Sequence, residues 1–307
     1  MKKLGYIIGK LFLDKKRNLQ VIGKKVLIND CQKIGNYLFK TPLIKGLALN
    51  GYEVSILASK VTKELASANP YIKEIIIDNT YQKKSFDIFK NIKTGIKYRN
   101  KFDYYIELVG SIYLRELILM KLLNAKKIIG IERKYGKHFD IIDKITKKQN
   151  HMRENGIEIL KVFGIKDPGG TYDIHFDKKN KYDRLLKKKP LILYNGTAST
   201  ISRSIPMEKE NSILNNLANI KWAEVRKIEK ENSILDLCSL IKKADLVISV
   251  DTGITHIASA FNIPTIVHKS NESVYPKSSI SIENSLYDDN LYKMAEDILE
   301  YIYIMSA

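Results

Sequence analysis

The stretch Ala244-Asp245-Leu246-Val247-Ile248-Ser249-Val250, running through Asp251-Thr252-Gly253-Ile254-Thr255-His256-Ile257-Ala258-Ser259-Ala260 to Pro264-Thr265, decides the fold. An apolar, β-branched run stops at Asp-Thr-Gly and resumes with apolar residues at helical spacing, which reads as a buried strand, a tight turn and a helix. The first N–H groups of a helix lack intrahelical partners and lie at the positive end of its dipole, so an anionic group is favoured there. Gly253 lets a ligand approach the backbone, Asp251 or Thr252 can cap the helix, and His256 projects about one turn further along. On these residues alone the turn is either a phosphate seat or a structural turn of an α/β domain.

Outward from this stretch, strands and helices alternate along the whole chain. Strands are predicted at 26–28, 54–57, 75–77, 104–108 and 127–131, with helices at 36–50, 62–68, 86–98 and 114–124 between and after them. A helix at 154–163 leads into Gly164-Ile165-Lys166-Asp167-Pro168-Gly169-Gly170, the richest turn cluster, and the domain boundary is placed there, between 166 and 167. The second series has strands at 191–194, 222–225, 246–250 and 265–268 and helices at 206–218 and 234–243; a closing helix at 291–304 is free to pack back on the first domain. This alternation implies two doubly wound α/β domains, each with a parallel sheet covered on both faces and ligands at the C-terminal ends of its strands.

The 307 residues suffice for two domains of about 150 residues each, and 44% hydrophobic content with 9% aromatics marks a folded chain. Lys and Arg outnumber Asp and Glu by 52 to 34, a formal charge of +18, which suits a polyanionic partner: nucleic acid, an anionic lipid surface or a phosphorylated glycan. The excess is mostly lysine, so it is no specific signal for nucleic acid. Cys31 and Cys238 read as separate buried thiols, with no zinc framework and no metal site. No run approaches the ~20 apolar residues of a membrane span. The segment Met1 to Arg17 reads either as a basic amphipathic helix at a membrane interface or as a helix on the protein's own surface.

Chemistry-bearing residues fall in loops that leave predicted strands. Asp30-Cys31-Gln32-Lys33-Ile34-Gly35-Asn36 follows the first strand and Glu107-Leu108-Val109-Gly110-Ser111 the fourth, so Asp30 and Glu107 are carboxylates at one sheet edge. In the second domain Asn195-Gly196-Thr197-Ala198-Ser199-Thr200-Ile201-Ser202-Arg203 offers hydroxyl and N–H donors, and Arg203 can neutralise a diphosphate. This loop and the Asp251 turn share one edge and can grip two parts of a single nucleotide.

The pattern of Asp251, Thr252, Gly253, His256, Ala258, Ala260, Pro264 and Thr265 resembles glycosyltransferase family 9, the ADP-heptose:lipopolysaccharide heptosyltransferases. Lys25 to Ile28, Ile34-Gly35-Asn36 and Thr41-Pro42 are similar to its N-terminal strand, turn and helix, and Asn195 to Ser199 with Arg203 and Pro206 to its second glycine loop. The resemblance spans about 25–270. It implies a GT-B fold of two Rossmann-like domains facing a central cleft, with an ADP-sugar donor on the second domain and the acceptor on the first. It further implies inverting transfer without a metal or other cofactor, the base being an acidic side chain. Gly196, Thr197, Ser199, Asp251, Thr252, Gly253 and His256 would hold the donor, with Asp251 orienting the turn, while Arg203 stabilises the departing diphosphate.

One departure stands at the centre of the pattern. The family carries Asp after the I-G turn as its base, and this chain carries Asn36, an amide that cannot accept a proton as a carboxylate does. Glu107 is the first substitute and Asp30 the second. Glu224 is the available counterpart of the family's acidic nucleotide contact. Lys126, Lys127, Arg133, Lys134, Lys137 and His138 form either a seat for anionic lipopolysaccharide core or a solvated lysine-rich loop. With the basic N-terminus they suit a cytoplasmic enzyme resting on the inner leaflet. Two other functions stay open: a catalytically silent GT-B protein that binds nucleotide or glycan, and a basic nucleic-acid-binding protein, which would lack any recognisable reading helix.

Overall fold

The computed structural model describes residues 21–30, 33–77, 88–108, 114–130, 152–170, 172–176, 178–269, 280–283 and 290–306. The chain divides into two compact units, 1–170 and 171–307, at the end of the Gly164 to Gly170 turn cluster. Gly164, Gly169 and Gly170 all take positive φ, at 70°, 77° and 78°, a conformation costly for other residues.

The first unit is built on five parallel strands, β1 (Lys25–Asp30), β2 (Glu53–Ala58), β3 (Glu74–Ile77), β4 (Tyr104–Glu107) and β5 (Lys127–Gly130), in the order β3-β2-β1-β4-β5. After Lys25 every residue of β1 is buried, as a central parallel strand covered on both faces requires. Val26 pairs with Val54 on one side and Tyr104 on the other.

The helices follow the strands: α1 (Ile34–Leu49), α2 (Lys63–Ala68), α3 (Ile88–Lys97), α4 (Leu114–Leu123) and α5 (Met152–Val162). Helix α1 starts two residues before its expected position, and Pro42 lies inside it. Proline has no N–H for the carbonyl four residues back. Thr41 repairs the gap, its hydroxyl donating to the Leu38 carbonyl at 2.8 Å. A Cβ on Gly46 would lie 2.7 Å from a Leu160 methyl, so the close approach of α1 and α5 depends on that glycine.

The second unit repeats the plan with β6 (Leu191–Asn195), β7 (Glu224–Lys227), β8 (Leu246–Val250), β9 (Thr265–Lys269) and β10 (Ile280–Glu283), all parallel and ordered β10-β9-β8-β6-β7. Strand β10 has no counterpart in the sequence reading, and β7 lies two residues later than expected. Its helices are α6 (Met207–Leu217), α7 (Ile234–Lys242), α8 (Gly253–Ala260) and α9 (Asn290–Ser306), with a short 3-10 turn at Ile201–Arg203. Helix α9 sends Leu291, Ala295 and Leu299 into the second unit's own core beside Ile192, Tyr194 and Ile248. That four-residue spacing is one helical face. Among the described residues no helix is long and apolar enough to cross a membrane.

In both sheets the chain reverses its direction of winding between two particular strands, β1 and β4 in the first and β6 and β8 in the second. Crevices for ligands open at such points, outside the carboxyl ends of the strands.

Candidate functional site

The loops after β6 and β8 flank the switch point of the second sheet, and side chains tie them together. Asn195, which ends β6, donates through Nδ2 to Ser249 Oγ on β8 at 3.0 Å and to the Thr197 carbonyl at 3.2 Å. Gly196 follows in a space that admits no side chain, since a Cβ there would lie 2.6 Å from Glu210 Oε1 and 2.8 Å from the Tyr194 hydroxyl. The loop then closes on itself. Ile205 N donates to the Gly196 carbonyl at 2.8 Å, and Ala198 N to Ser204 Oγ at 2.9 Å.

Arg203 joins this loop to the Asp251 turn. Its Nε donates to Thr200 Oγ1 and its Nη2 to Ser199 Oγ, each at 3.1 Å, while Nη1 lies 3.8 Å from Asp251 Oδ2. The Arg203 side chain is 30% exposed and that of Asp251 10%, so the cation faces outward and its carboxylate partner inward. Thr197 and Ser199 are exposed beside it.

Thr252 caps α8, its side chain accepting from Ile254 N at 3.3 Å, and its carbonyl accepts from Thr255 N at 3.3 Å. Two first-turn donors are therefore satisfied within the turn, which makes the Arg203 guanidinium the larger share of the positive character at this edge. Gly253 opens the helix. His256 is buried one turn along, with its ring edge-on to Tyr172 at 6.1 Å between centroids. Gly196, Thr197, Ser199, Arg203, Asp251, Thr252 and Gly253 thus lie on two loops at one switch point, while His256 sits beneath them. Glu224 does not join them. It begins β7, at the opposite edge of the sheet, and its carboxylate accepts from Arg226 at 2.7 Å.

At the switch point of the first sheet the carboxylates are enclosed. Asp30 ends β1 with 0% exposure and is ion-paired with Lys40, itself buried on α1. Burial pushes the Asp30 carboxyl above its usual range, against the Lys40 charge and hydrogen bond that pull it down. Glu107 ends β4 at 3% exposure, its Oε2 accepting from Asn29 Nδ2 at 2.7 Å and from the Tyr105 hydroxyl at 3.0 Å. Asn36 is half-buried in the first turn of α1.

Lys40 and the Asn29, Tyr105 and Glu107 network are absent from the sequence reading. A lysine inside the buried run Tyr37-Leu38-Phe39-Lys40-Thr41-Pro42, ten residues after an aspartate that ends a strand, is the signal that could have found the ion pair. Cys31, Gln32, residues 109–111, the N-terminal segment 1–17, Arg133, Lys134, Lys137 and His138 lie outside the described residues. Lys126 is half-exposed and pairs with Asp103 at 2.7 Å. Cys238 is a buried thiol in α7. Among the described residues no three His, Cys, Asp or Glu side chains cluster as a metal site would require.

Heptosyltransferases are among the known proteins that this chain resembles. Residues 205–267, which include α6, β8 and α8, match the family described as glycosyltransferase family 9 (heptosyltransferase). The chain is 22% identical over 279 residues to a protein of Escherichia coli (strain K12) named "Putative lipopolysaccharide heptosyltransferase 4", covering 82% of this chain and 74% of that one. Among solved structures it is similar to E. coli heptosyltransferase WaaC with ADP-2-deoxy-2-fluoro heptose, with a TM-score of 0.70 at 17% identity over 89% of this chain and 99% of that one. E. coli ADP-heptose lps heptosyltransferase II gives a TM-score of 0.67 at 15% identity, covering 91% and 99%. The fold is GT-B, α/β with a parallel sheet in each of two domains.

Proposed function

We propose that this chain, a glycosyltransferase of family 9, transfers heptose or a related sugar from an ADP-sugar to the inner core of lipopolysaccharide with inversion at the anomeric carbon. The observation that carries this reading is Arg203, a partly exposed cation held by hydroxyls of one switch-point loop and directed at the carboxylate of the other. As the glycosidic bond to the diphosphate breaks, negative charge grows on the leaving oxygen, and a fixed guanidinium beside a helix N-terminus stabilises it. Thr197, Ser199 and the Thr252-Gly253 turn supply the remaining donors to the diphosphate, with no cofactor in the reaction. Asp251 keeps Arg203 oriented, and His256 supports the turn from below.

The acceptor hydroxyl needs a base on the first unit. Glu107 is the leading candidate, because it ends β4 at the switch point of the first sheet and is held there by the Asn29 amide and the Tyr105 hydroxyl. Asp30 is second. The anionic inner core and the inner leaflet of the membrane are the partners that suit the basic chain, and an enzyme acting on them works at the cytoplasmic face. Nucleic acid has no part in this reading.

A second reading has its own support. Asn36 replaces the family's base, and both nearby carboxylates are almost wholly buried and engaged, which suits a protein that binds donor without turning it over. One experiment separates the two. Incubation with ADP-heptose and a heptose-deficient lipopolysaccharide should release ADP, and Glu107→Gln should lower the rate at least a hundredfold. Donor binding with no ADP release from any acceptor would favour the silent protein instead.

A further inference from the structure

A second cation is held by an enclosed carboxylate at the ligand edge of the second sheet. Lys227 ends β7, on the side of β6 away from β8. It is in register with Tyr194, and Ile228 N, the next donor along the chain, reaches the Tyr194 carbonyl at 2.8 Å, which fixes the end of the strand. The lysine Nζ donates to Glu210 Oε2 at 2.5 Å, its side chain 46% exposed and that of the glutamate 9%. Glu210 stands in the first turn of α6, the helix that follows the Arg203 loop. A Cβ on Gly196 would lie 2.6 Å from its Oε1, which sets the carboxylate against the root of that loop.

Stability alone gives little reason for this pair. A carboxylate taken out of water is costly, and a partner half in solvent offsets little of that cost. Among the described residues Glu210 Oε1 takes no hydrogen bond, so the neutralisation falls to Lys227. What the arrangement supplies is direction, since the carboxylate engages one donor of the ammonium and leaves the others for a ligand. Arg203 and Asp251 show the same division on the other side of β6, an outward cation on an enclosed acid. Adjacent strands lie about 4.8 Å apart, so β7 and β8 flank β6 at roughly 10 Å, and a lysine and an arginine reaching from the two sides can close on one diphosphate. The other acids near this end are engaged or solvated. Glu231 accepts from Lys181 and from the Tyr182 hydroxyl, while Glu208 and Glu229 are exposed, each followed by an exposed lysine, Lys209 and Lys230.

We propose that Lys227 is a second cation of the donor site, contacting a phosphate of the sugar nucleotide, and that Glu210 is the positioning residue that aims it. The inference rests on the reading of this edge as the donor seat and adds a residue to that seat. A diphosphate carries charge on both phosphorus centres, and cations on either side of one loop meet both with charge-assisted hydrogen bonds. Lysine suits the place as a compact charge that can engage an acid and a phosphate at once.

Calorimetric titration of the full chain with inorganic pyrophosphate, ADP and an ADP-sugar tests this. Lys227→Met alone would strand the Glu210 carboxylate, so the informative comparison is Glu210→Gln against Glu210→Gln with Lys227→Met, in which no charge of the pair is left buried. Glu210→Gln should bind all three ligands about as the parent does, because a carboxylate near the phosphates is lost as the lysine loses its anchor. It should turn over the donor severalfold more slowly, since the ammonium is no longer fixed where charge develops. The double variant should bind each ligand about tenfold to a hundredfold less tightly than Glu210→Gln, at an unchanged melting temperature. Glu210→Gln with Lys227→Arg should bind as Glu210→Gln does. Equal binding by Glu210→Gln and the double variant would overturn the proposal, as would a loss confined to ADP and the ADP-sugar, a loss shared by the arginine variant, or no binding of pyrophosphate by the parent. Undiminished turnover in Glu210→Gln would overturn the role given to Glu210. An ADP-sugar bound equally by all variants would leave the donor reading standing without Lys227. Pyrophosphate held through Lys227 by a chain that takes no ADP-sugar would count against the transferase reading and leave the second cation in place.

Discussion

At the switch point of the first sheet Asp30 and Lys40 are both buried and neutralise one another, whereas at that of the second Arg203 is partly exposed and only its carboxylate partner, Asp251, is enclosed. Both edges come from the same winding plan, with loops after neighbouring parallel strands. They differ in what their charges are free to do. A buried pair has lost its hydration and depends on its partner, so it serves the fold. A cation at the surface, aimed by hydroxyls, keeps most of its field for an incoming anion. Within one chain, then, the same topological feature supplies a buried ion pair in one unit and a partly exposed cation in the other, which we propose as the ligand grip.

Four substitutions press on this contrast. Lys40→Met should be the most damaging to stability, by about 3–5 kcal/mol, because it strands a buried carboxylate; chemical denaturation measures it, and the double variant with Asp30→Leu should recover most of the loss. If Lys40→Met were neutral, the two edges would not differ as described. Arg203→Ala should lower turnover by roughly a hundredfold to a thousandfold with little change in melting temperature, the size expected for losing a donor to developing charge. A loss of folding rather than of rate would move Arg203 into the structural class. Gly196→Ala should cost about 1–3 kcal/mol, since the new methyl meets Glu210 and Tyr194. Thermal melting would show it, and an unchanged midpoint would mean the loop yields. Thr252→Ala, which removes the cap of α8, should cost about 1 kcal/mol and weaken donor binding modestly.

Much of the architecture is legible in the sequence because parallel strands buried on both faces must be apolar throughout. Val26 to Ile28 and Leu246 to Val250 announce themselves this way, and each is followed by turn residues and a helix. Strand β7 is harder to read. Glu224-Val225-Arg226-Lys227 is an edge strand with exposed charged residues at both ends, so its composition resembles a loop and it lies two residues later than its apolar residues suggest. Strand β10 is hard to read for a related reason, since Ile280-Ser281-Ile282-Glu283 is short and ends its sheet.

The site divides along similar lines. Arg203 and the Asp251 turn could be paired from sequence because each follows a strand of the same sheet and order along the chain fixes the edge. The enclosure of Asp30 and Glu107 could not be read so. It depends on Lys40, Asn29 and Tyr105, whose convergence arises from helix packing and strand register rather than from any local motif.

We propose that Arg203, held between two loops of the second sheet, grips the diphosphate of an ADP-sugar. Thermal stabilisation of the full chain by ADP-, GDP- and UDP-sugars, measured for the parent and for Arg203→Ala, tests it most directly, since a ligand bound only by the native state raises stability with the logarithm of its concentration over Kd. A concentration-dependent rise with ADP-sugars alone is expected, together with its loss in Arg203→Ala. Equal stabilisation of parent and variant by an ADP-sugar, or none of the parent by any sugar nucleotide, would contradict it.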